Sequence, residues 1–263
     1  LLIFENNKII KKKYFDIKKY FKKPKKYEKF NVSEFDEILR KSVETRLISD
    51  VDIGVFLSGG IDSSIISAIA KQHNNKIKSF TLGFEEESYD ETSNAKIVSK
   101  YLNIENETYI LKKNDLLEIE KVVNSFGEPL ADTSIIPTYF LSKFVKEKVK
   151  VSLTGDGGDE LFFGYDTYTA SKYYNILKKF NINYIFKILN KFSKFIQKKK
   201  TKVNYNYALK KFIEALNIKD KDFYVHEFWR QVNDQKSLEK ILNKDFYSEI
   251  KNLEIHKYDF KEL

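Results

Sequence analysis

The stretch Leu57-Ser58-Gly59-Gly60-Ile61-Asp62-Ser63-Ser64 constrains this chain more than any other. It follows an apolar run, Ile53 to Leu57, that reads as a buried strand. Beyond it, Ile61, Ile65, Ile66 and Ile69 recur at the spacing of a helix's inner face. A strand that turns into a helix through glycines leaves free backbone N–H groups, and the positive end of the helix dipole, pointing into the turn. Such a turn is an anion site, and glycine lets the backbone approach a phosphate closely. No Gly-Lys-Ser/Thr ends the stretch and it lacks Gly-x-Gly-x-x-Gly spacing, so it is neither a Walker A loop nor a dinucleotide loop. Asp62 stands inside the same cradle. Carboxylate and phosphate repel one another unless a divalent cation bridges them.

The segments around this turn alternate. Phe35, Ile38, Leu39, Val43 and Leu47 form an amphipathic helix face ahead of the first strand, Asp50 to Leu57. Lys76 to Phe84 reads as a second strand, Ile104 to Leu111 as a third and Lys148 to Leu153 as a fourth. Helices are expected between them: one capped by Asp90, one capped by Asn114 and closed by Gly127, and one over Ser134 to Glu147. Strands alternating with helices imply βαβ units, right-handed crossovers and a doubly wound, mainly parallel α/β sheet. Ligands of such sheets bind beyond the carboxyl ends of the strands. From Tyr165 onward only helical spacings recur, so a helical carboxy-terminal extension is expected. Residues 1–30 read as a lead-in and linker, 31–168 as the α/β domain and 169–263 as the extension.

A second glycine-rich stretch follows the fourth strand: Thr154-Gly155-Asp156-Gly157-Gly158-Asp159-Glu160. A purely structural turn has no need of so many glycines and acids together. Glycines admit a ligand to the backbone, and the acids can hold Mg²⁺, which takes about six oxygens from carboxylates, water and phosphates. Asp62 and Asp159 can supply two of them.

Taken together, these motifs resemble those of the ATP pyrophosphatases, and specifically the synthetase domain of glutamine-hydrolysing asparagine synthetases. The resemblance rests on Gly54 to Ser64, on Phe80-Thr81-Leu82-Gly83-Phe84 with Tyr89-Asp90-Glu91, on Glu128 to Ser134 with Pro137, and on Leu153 to Phe162 with Gly164-Tyr165. It covers about Leu1 to Tyr168 in order and spacing. It implies an adenine-nucleotide alpha-hydrolase-like fold that binds ATP through Leu57, Ser58, Gly59, Gly60, Asp62, Ser63, Ser64, Leu82, Thr154 and Gly155. It implies Mg²⁺ at Asp62 and Asp159, Asp156 as the catalytic residue that supports the aspartyl-adenylate step, and Glu128, Asp132 and Ser134 on the amino-acid side. The implied reaction converts aspartate to asparagine through β-aspartyl-AMP, releasing AMP and pyrophosphate, with ammonia channelled from a separate glutaminase domain. A homodimer is implied for the full-length enzyme. Thr154 stands where the family commonly has Ser, and Phe163 where it commonly has a second Gly.

Composition narrows the alternatives. The 263 residues include no Cys and no Met, and residue 1 is Leu. The chain is therefore expected to be a piece of a longer protein, lacking the glutaminase domain and the last helices. It offers no thiol nucleophile. Without Cys or a secretory start, the cytoplasm is the expected compartment. No apolar run is long enough for a membrane span. The net charge of +9 invites a nucleic-acid reading. That charge is spread over Lys, with Arg only at Arg40, Arg46 and Arg230. Bidentate base and phosphate recognition favours Arg, so no nucleic-acid partner is expected. The alternatives are a related adenylating amidotransferase acting on another carboxylate or a surface-sugar substrate, and, further off, a tRNA-modifying pyrophosphatase. His73, His226 and His256 have no metal spacing.

Overall fold

The computed structural model of the chain describes residues 1–16, 30–127, 132–179, 205–216, 223–230 and 235–250. Two compact units divide it, one of residues 1–32 with 230–263 and one of residues 33–229. In the first unit, β1 (Leu2–Glu5) and β2 (Lys8–Lys11) form an antiparallel hairpin. Asn6 and Asn7 turn it with φ of 50° and 58°, the left-handed pair that matches strand twist in a two-residue loop.

The second unit opens on α1 (Val32–Leu47), whose first residue belongs to the other unit, and then enters β3 (Ile53–Phe56). Next come α2 (Ile61–His73), β4 (Lys78–Phe84), α3 (Thr92–Leu102) and β5 (Glu105–Leu111). A 3-10 turn over Lys113–Glu118 leads into α4 (Ile119–Phe126), followed by α5 (Ile135–Val145) and β6 (Val151–Leu153). The strands lie parallel in the order β5-β4-β3-β6. From β3 the chain winds outward through β4 to β5, then returns to the other side of β3 for β6. The order therefore reverses between β3 and β6, and ligand crevices open at such a switch point.

Helices cover both faces of the sheet. On one face Val43 of α1 and Ile69 and Ala70 of α2 pack with Val55 of β3 and Ile77. On the other, Leu141 and Val145 of α5 and the following Val149 pack on Phe80 of β4. Phe80 is wholly buried, and a side chain of that size contributes about 1.5–3 kcal/mol by leaving water. The doubly wound parallel architecture is as the alternating pattern predicts.

Two local expectations are corrected. Asn114 does not cap a helix: the segment starts as the 3-10 turn, in which the Asp115 carboxylate accepts the Lys112 N–H at 2.8 Å. The fourth strand is three residues long, because pairing with β3 reaches only Val151 to Leu153. Beyond the sheet, α6 (Gly158–Phe162), α7 (Asp166–Lys179), α8 (Tyr205–Ala215) and α9 (Phe223–Arg230) continue the second unit, all but Arg230 belonging to it. Tyr174, Ala215, Leu216 and Val225 make a separate helical core against which Trp229 packs. In the first unit, α10 (Gln235–Ile241) and α11 (Lys244–Ile250) follow. Among the described residues no helix is long and apolar enough to cross a membrane.

Candidate active site

The turn after β3 is held by its own hydroxyls. Ser63 Oγ accepts the Ser58 N–H at 3.2 Å, lies 3.0 Å from Ser58 Oγ and donates to the Gly60 carbonyl at 3.3 Å. Ser58 Oγ in turn accepts the Gly60 N–H at 3.2 Å. Gly59 has φ +82°, and a Cβ there would stand 2.6 Å from the backbone of Asn94 in α3. Only glycine satisfies both the handedness and that close approach. Asp62 occupies the first turn of α2, where the helix dipole favours a carboxylate and four backbone N–H groups lack intrahelical acceptors.

The loop after β6 is built on the same plan. Thr154 Oγ1 donates to Asp156 Oδ2 at 2.9 Å and accepts the Asp156 N–H at 3.3 Å, folding that carboxylate back over its loop. The two loops meet. A Cβ on Gly158 would lie 2.6 Å from the Asp62 carboxylate carbon, and one on Gly155 would lie 2.9 Å from Asp62 Cβ. Side chains at these positions would fill the space that Asp62 occupies. The register that sets Ile53 opposite Val151 and Val55 opposite Leu153 brings the two loops out side by side.

Between them lies a cleft of about 710 Å³. Of the residues singled out in the sequence, Leu57, Ser58, Asp62, Ser63, Leu82, Asp132, Ser134, Thr154, Gly155, Asp156 and Asp159 line it. Gly59, Gly60 and Ser64 do not. Ser64 is one helical step past Ser63, which turns its hydroxyl away from the cleft; that oxygen is buried, with no hydrogen-bond partner among the described residues. Glu128 lies outside the described residues. The Asp132 carboxylate also accepts the Ser134 N–H at 2.9 Å, organising the entry to α5. Sequence reasoning did not place Glu91, Thr138 or Phe84 in the cleft, although Glu91 belongs to the Tyr89-Asp90-Glu91 motif. Tyr165 lines it as well and donates to Glu160 at 2.5 Å.

The electrostatics are one-sided. Asp62, Glu91, Asp132, Asp156, Asp159 and Glu160 line the cleft, with no lysine or arginine among the described lining residues. A polyphosphate entering such a site needs cations. The hard oxygens of Asp62 and Asp159, set against glycines, suit Mg²⁺. Among the described residues no three acids or histidines converge on one point, so a metal here would take its remaining oxygens from substrate and water.

The sequence profile of the asparagine synthase family matches residues 34–259, further into the helical part than the motifs reach. Asparagine synthetase [glutamine-hydrolyzing] 1 of Bacillus subtilis is 42% identical over 156 residues, which are 57% of this chain and 25% of that protein. Putative asparagine synthetase [glutamine-hydrolyzing] 2 of Methanocaldococcus jannaschii is 37% identical over 183 residues, 68% of this chain and 35% of that protein. The chain thus spans a quarter to about a third of the length of these relatives. Among solved structures, a glutamine-dependent NAD+ synthetase from Acinetobacter baumannii in complex with ADP aligns with TM-score 0.40 and 17% identity, covering 54% of this chain and 29% of that one. The family profile takes in both glycine-rich loops and the strands that carry them, and on that match the chain belongs to the asparagine synthase family.

Proposed function

We propose that this chain is the synthetase part of a glutamine-dependent asparagine synthetase, adenylating aspartate with Mg-ATP and delivering the acyl group to ammonia. The observation that carries the reading is the convergence of the Ser58–Ser63 turn and the Thr154–Glu160 loop on one acidic cleft, with Asp62 seated against Gly155 and Gly158.

In this reading the N–H groups and hydroxyls of the turn receive the pyrophosphate end of ATP, and Leu57, Leu82 and Gly155 border the adenosine. Asp62 and Asp159 would hold Mg²⁺, which supplies charge neutralisation between carboxylate and phosphate oxygens. The β-carboxylate of aspartate attacks the α-phosphorus, and the α–β phosphoanhydride bond breaks with departure of pyrophosphate. Ammonia then attacks the acyl carbon, the bond to AMP breaks, and asparagine leaves. Asp156, oriented by Thr154, accepts the proton that the attacking nitrogen gives up. Asp132 and Ser134, across the cleft, border the amino acid. Ammonia comes from glutamine hydrolysis in another domain of the whole enzyme, since the 263 residues contain no Cys to attack an amide.

The test is formation of AMP, pyrophosphate and asparagine from Mg-ATP and aspartate, with ammonium or glutamine as nitrogen source. Ammonium is expected to support no more than weak asparagine formation by the purified chain, and glutamine none. Asparagine made from glutamine by this chain alone would overturn the division of labour. AMP release that requires a carboxylate other than aspartate would move the assignment to a related amidotransferase.

A further inference from the structure

The parallel ladder between β3 and β4 ends where the site begins. Its register closes at Phe56 opposite Phe80, and the next amide, Leu57 N–H, donates to the Phe80 carbonyl at 2.9 Å. One peptide before Ser58, the Leu57 carbonyl accepts the Thr81 hydroxyl at 2.7 Å. Both residues are 1% exposed, so this bond forms out of water, where losing it would leave a bare carbonyl.

The Thr81 hydroxyl is itself held in place. Its single hydrogen goes to Leu57, and its oxygen accepts Asn106 Nδ2–H at 2.8 Å. The same amide nitrogen donates to Ser79 Oγ at 2.9 Å, and Ser79 donates on to the Glu105 carbonyl at 3.2 Å. Thr108 Oγ1 donates to Asn106 Oδ1 at 3.2 Å. A chain of donors therefore runs from β5, across β4, to the residue that launches the phosphate turn. Packing alone does not ask for it. Valine has the shape of threonine, suits a strand equally well and carries no hydroxyl to desolvate.

We propose that Thr81, oriented by Asn106, is a positioning residue for the nucleotide turn. It fixes the plane of the Leu57–Ser58 peptide, and through it the aim of the Ser58–Ser63 amides and hydroxyls. The inference rests on the reading of that turn as the pyrophosphate cradle. Donors to a charged ligand lose their effect when displaced by fractions of an ångström, so a fixed lead-in peptide matters more here than in an ordinary turn.

Two measurements on the full chain test it: amide hydrogen exchange without nucleotide, and Mg-ATP affinity by calorimetry. Thr81→Val is expected to speed exchange at Ser58 to Gly60 about tenfold while β5 keeps the parent's rates, and to weaken Mg-ATP binding about tenfold. Thr81→Ser, which restores the hydroxyl, should match the parent in both to within about twofold. If Thr81→Val does not fold, Asn106→Leu decides. It leaves the Leu57 bond possible but the hydroxyl unfixed, and must loosen the same three amides and weaken binding. Unchanged exchange at the turn, exchange raised evenly over β3 to β5, or a loosened turn with the parent's affinity would each overturn the proposal. A parent chain that binds no Mg-ATP would overturn the nucleotide reading by itself, and the confined rise in exchange then decides whether Thr81 holds the turn.

Discussion

A carboxylate placed where phosphate is expected is the most telling side chain in the cleft. Asp62 is half-buried, and the glycine positions around it leave room for its carboxyl group and little else. Two substitutions separate its chemistry from its packing. Asp62→Asn keeps the size and removes the charge. Mg-ATP affinity should fall at least about tenfold with the melting temperature nearly unchanged, because the loss is of a charge-assisted ligand bond. Gly158→Ala leaves Asp62 intact but puts a methyl group where the carboxylate now lies. Gly158 stands in a helical first turn without positive φ, so the backbone accepts alanine, and the methyl group, 2.6 Å from the carboxylate, should displace Asp62 and weaken Mg-ATP binding, with any entropic gain offset by that contact. Calorimetry beside thermal denaturation reads both effects. A Gly158→Ala protein that binds Mg-ATP as the parent does would show that the seat of Asp62 is immaterial.

Between residue and fold stand the joints that aim one element at the next. Asp90 ties the end of β4 to the start of α3: one carboxylate oxygen accepts the Thr92 hydroxyl at 2.6 Å, the other the backbone N–H groups of Phe84 and Thr92 at 3.2 and 3.4 Å. The Thr92 hydroxyl foremost, with the two N–H groups, holds the Asp90 carboxyl below its ordinary value near 3.8. A depressed carboxylate stabilises the fold above its unfolded value and loses that contribution as pH falls through the folded one. The Asp90 contribution is therefore complete above about pH 4 and vanishes on further acidification. Urea unfolding of Asp90→Asn should show a shallower loss of stability below about pH 4 than the parent; identical slopes would dismiss the joint. The sequence singled out Asp90 one residue before the N-cap, Glu91, and the same local chemistry revealed both glycine-rich loops, because strand, turn and helix signals lie within a few residues of each other. What stayed hidden was set by tertiary geometry. Glu91 and Thr138 reach the cleft from two separate segments, and nothing local announces that they meet. Ser64 resembles Ser63 in sequence and differs only in helical phase. The four-stranded sheet was readable from alternation, whereas β6 proved short because only the residues facing β3 pair.

At the scale of the molecule, the cleft joins two strands that the chain visits far apart. A ligand that spans both loops acts as a clamp on β3 and β6, so its binding should appear as global stability. Mg-ATP at a hundred times its dissociation constant should add about 2.7 kcal/mol, and ATP without the metal should add far less against six carboxylates. Equal thermal shifts with and without Mg²⁺ would count against a shared cation. The pairing of residue 53 with residue 151 has a temporal side too. These partners are roughly a hundred residues apart, and long-range pairings close late because loop entropy must be overcome first. During synthesis the Ser58 turn is finished long before its acidic counterpart emerges, so a nascent chain carries half a cradle that cannot yet trap a nucleotide. In reverse, β6 is only three residues long and lies at an edge of the described sheet, so it is expected to open before the central strands as the native state breathes. Catalytic competence would then vanish before the rest of the sheet is lost, and a fraying chain would fall silent while still largely folded.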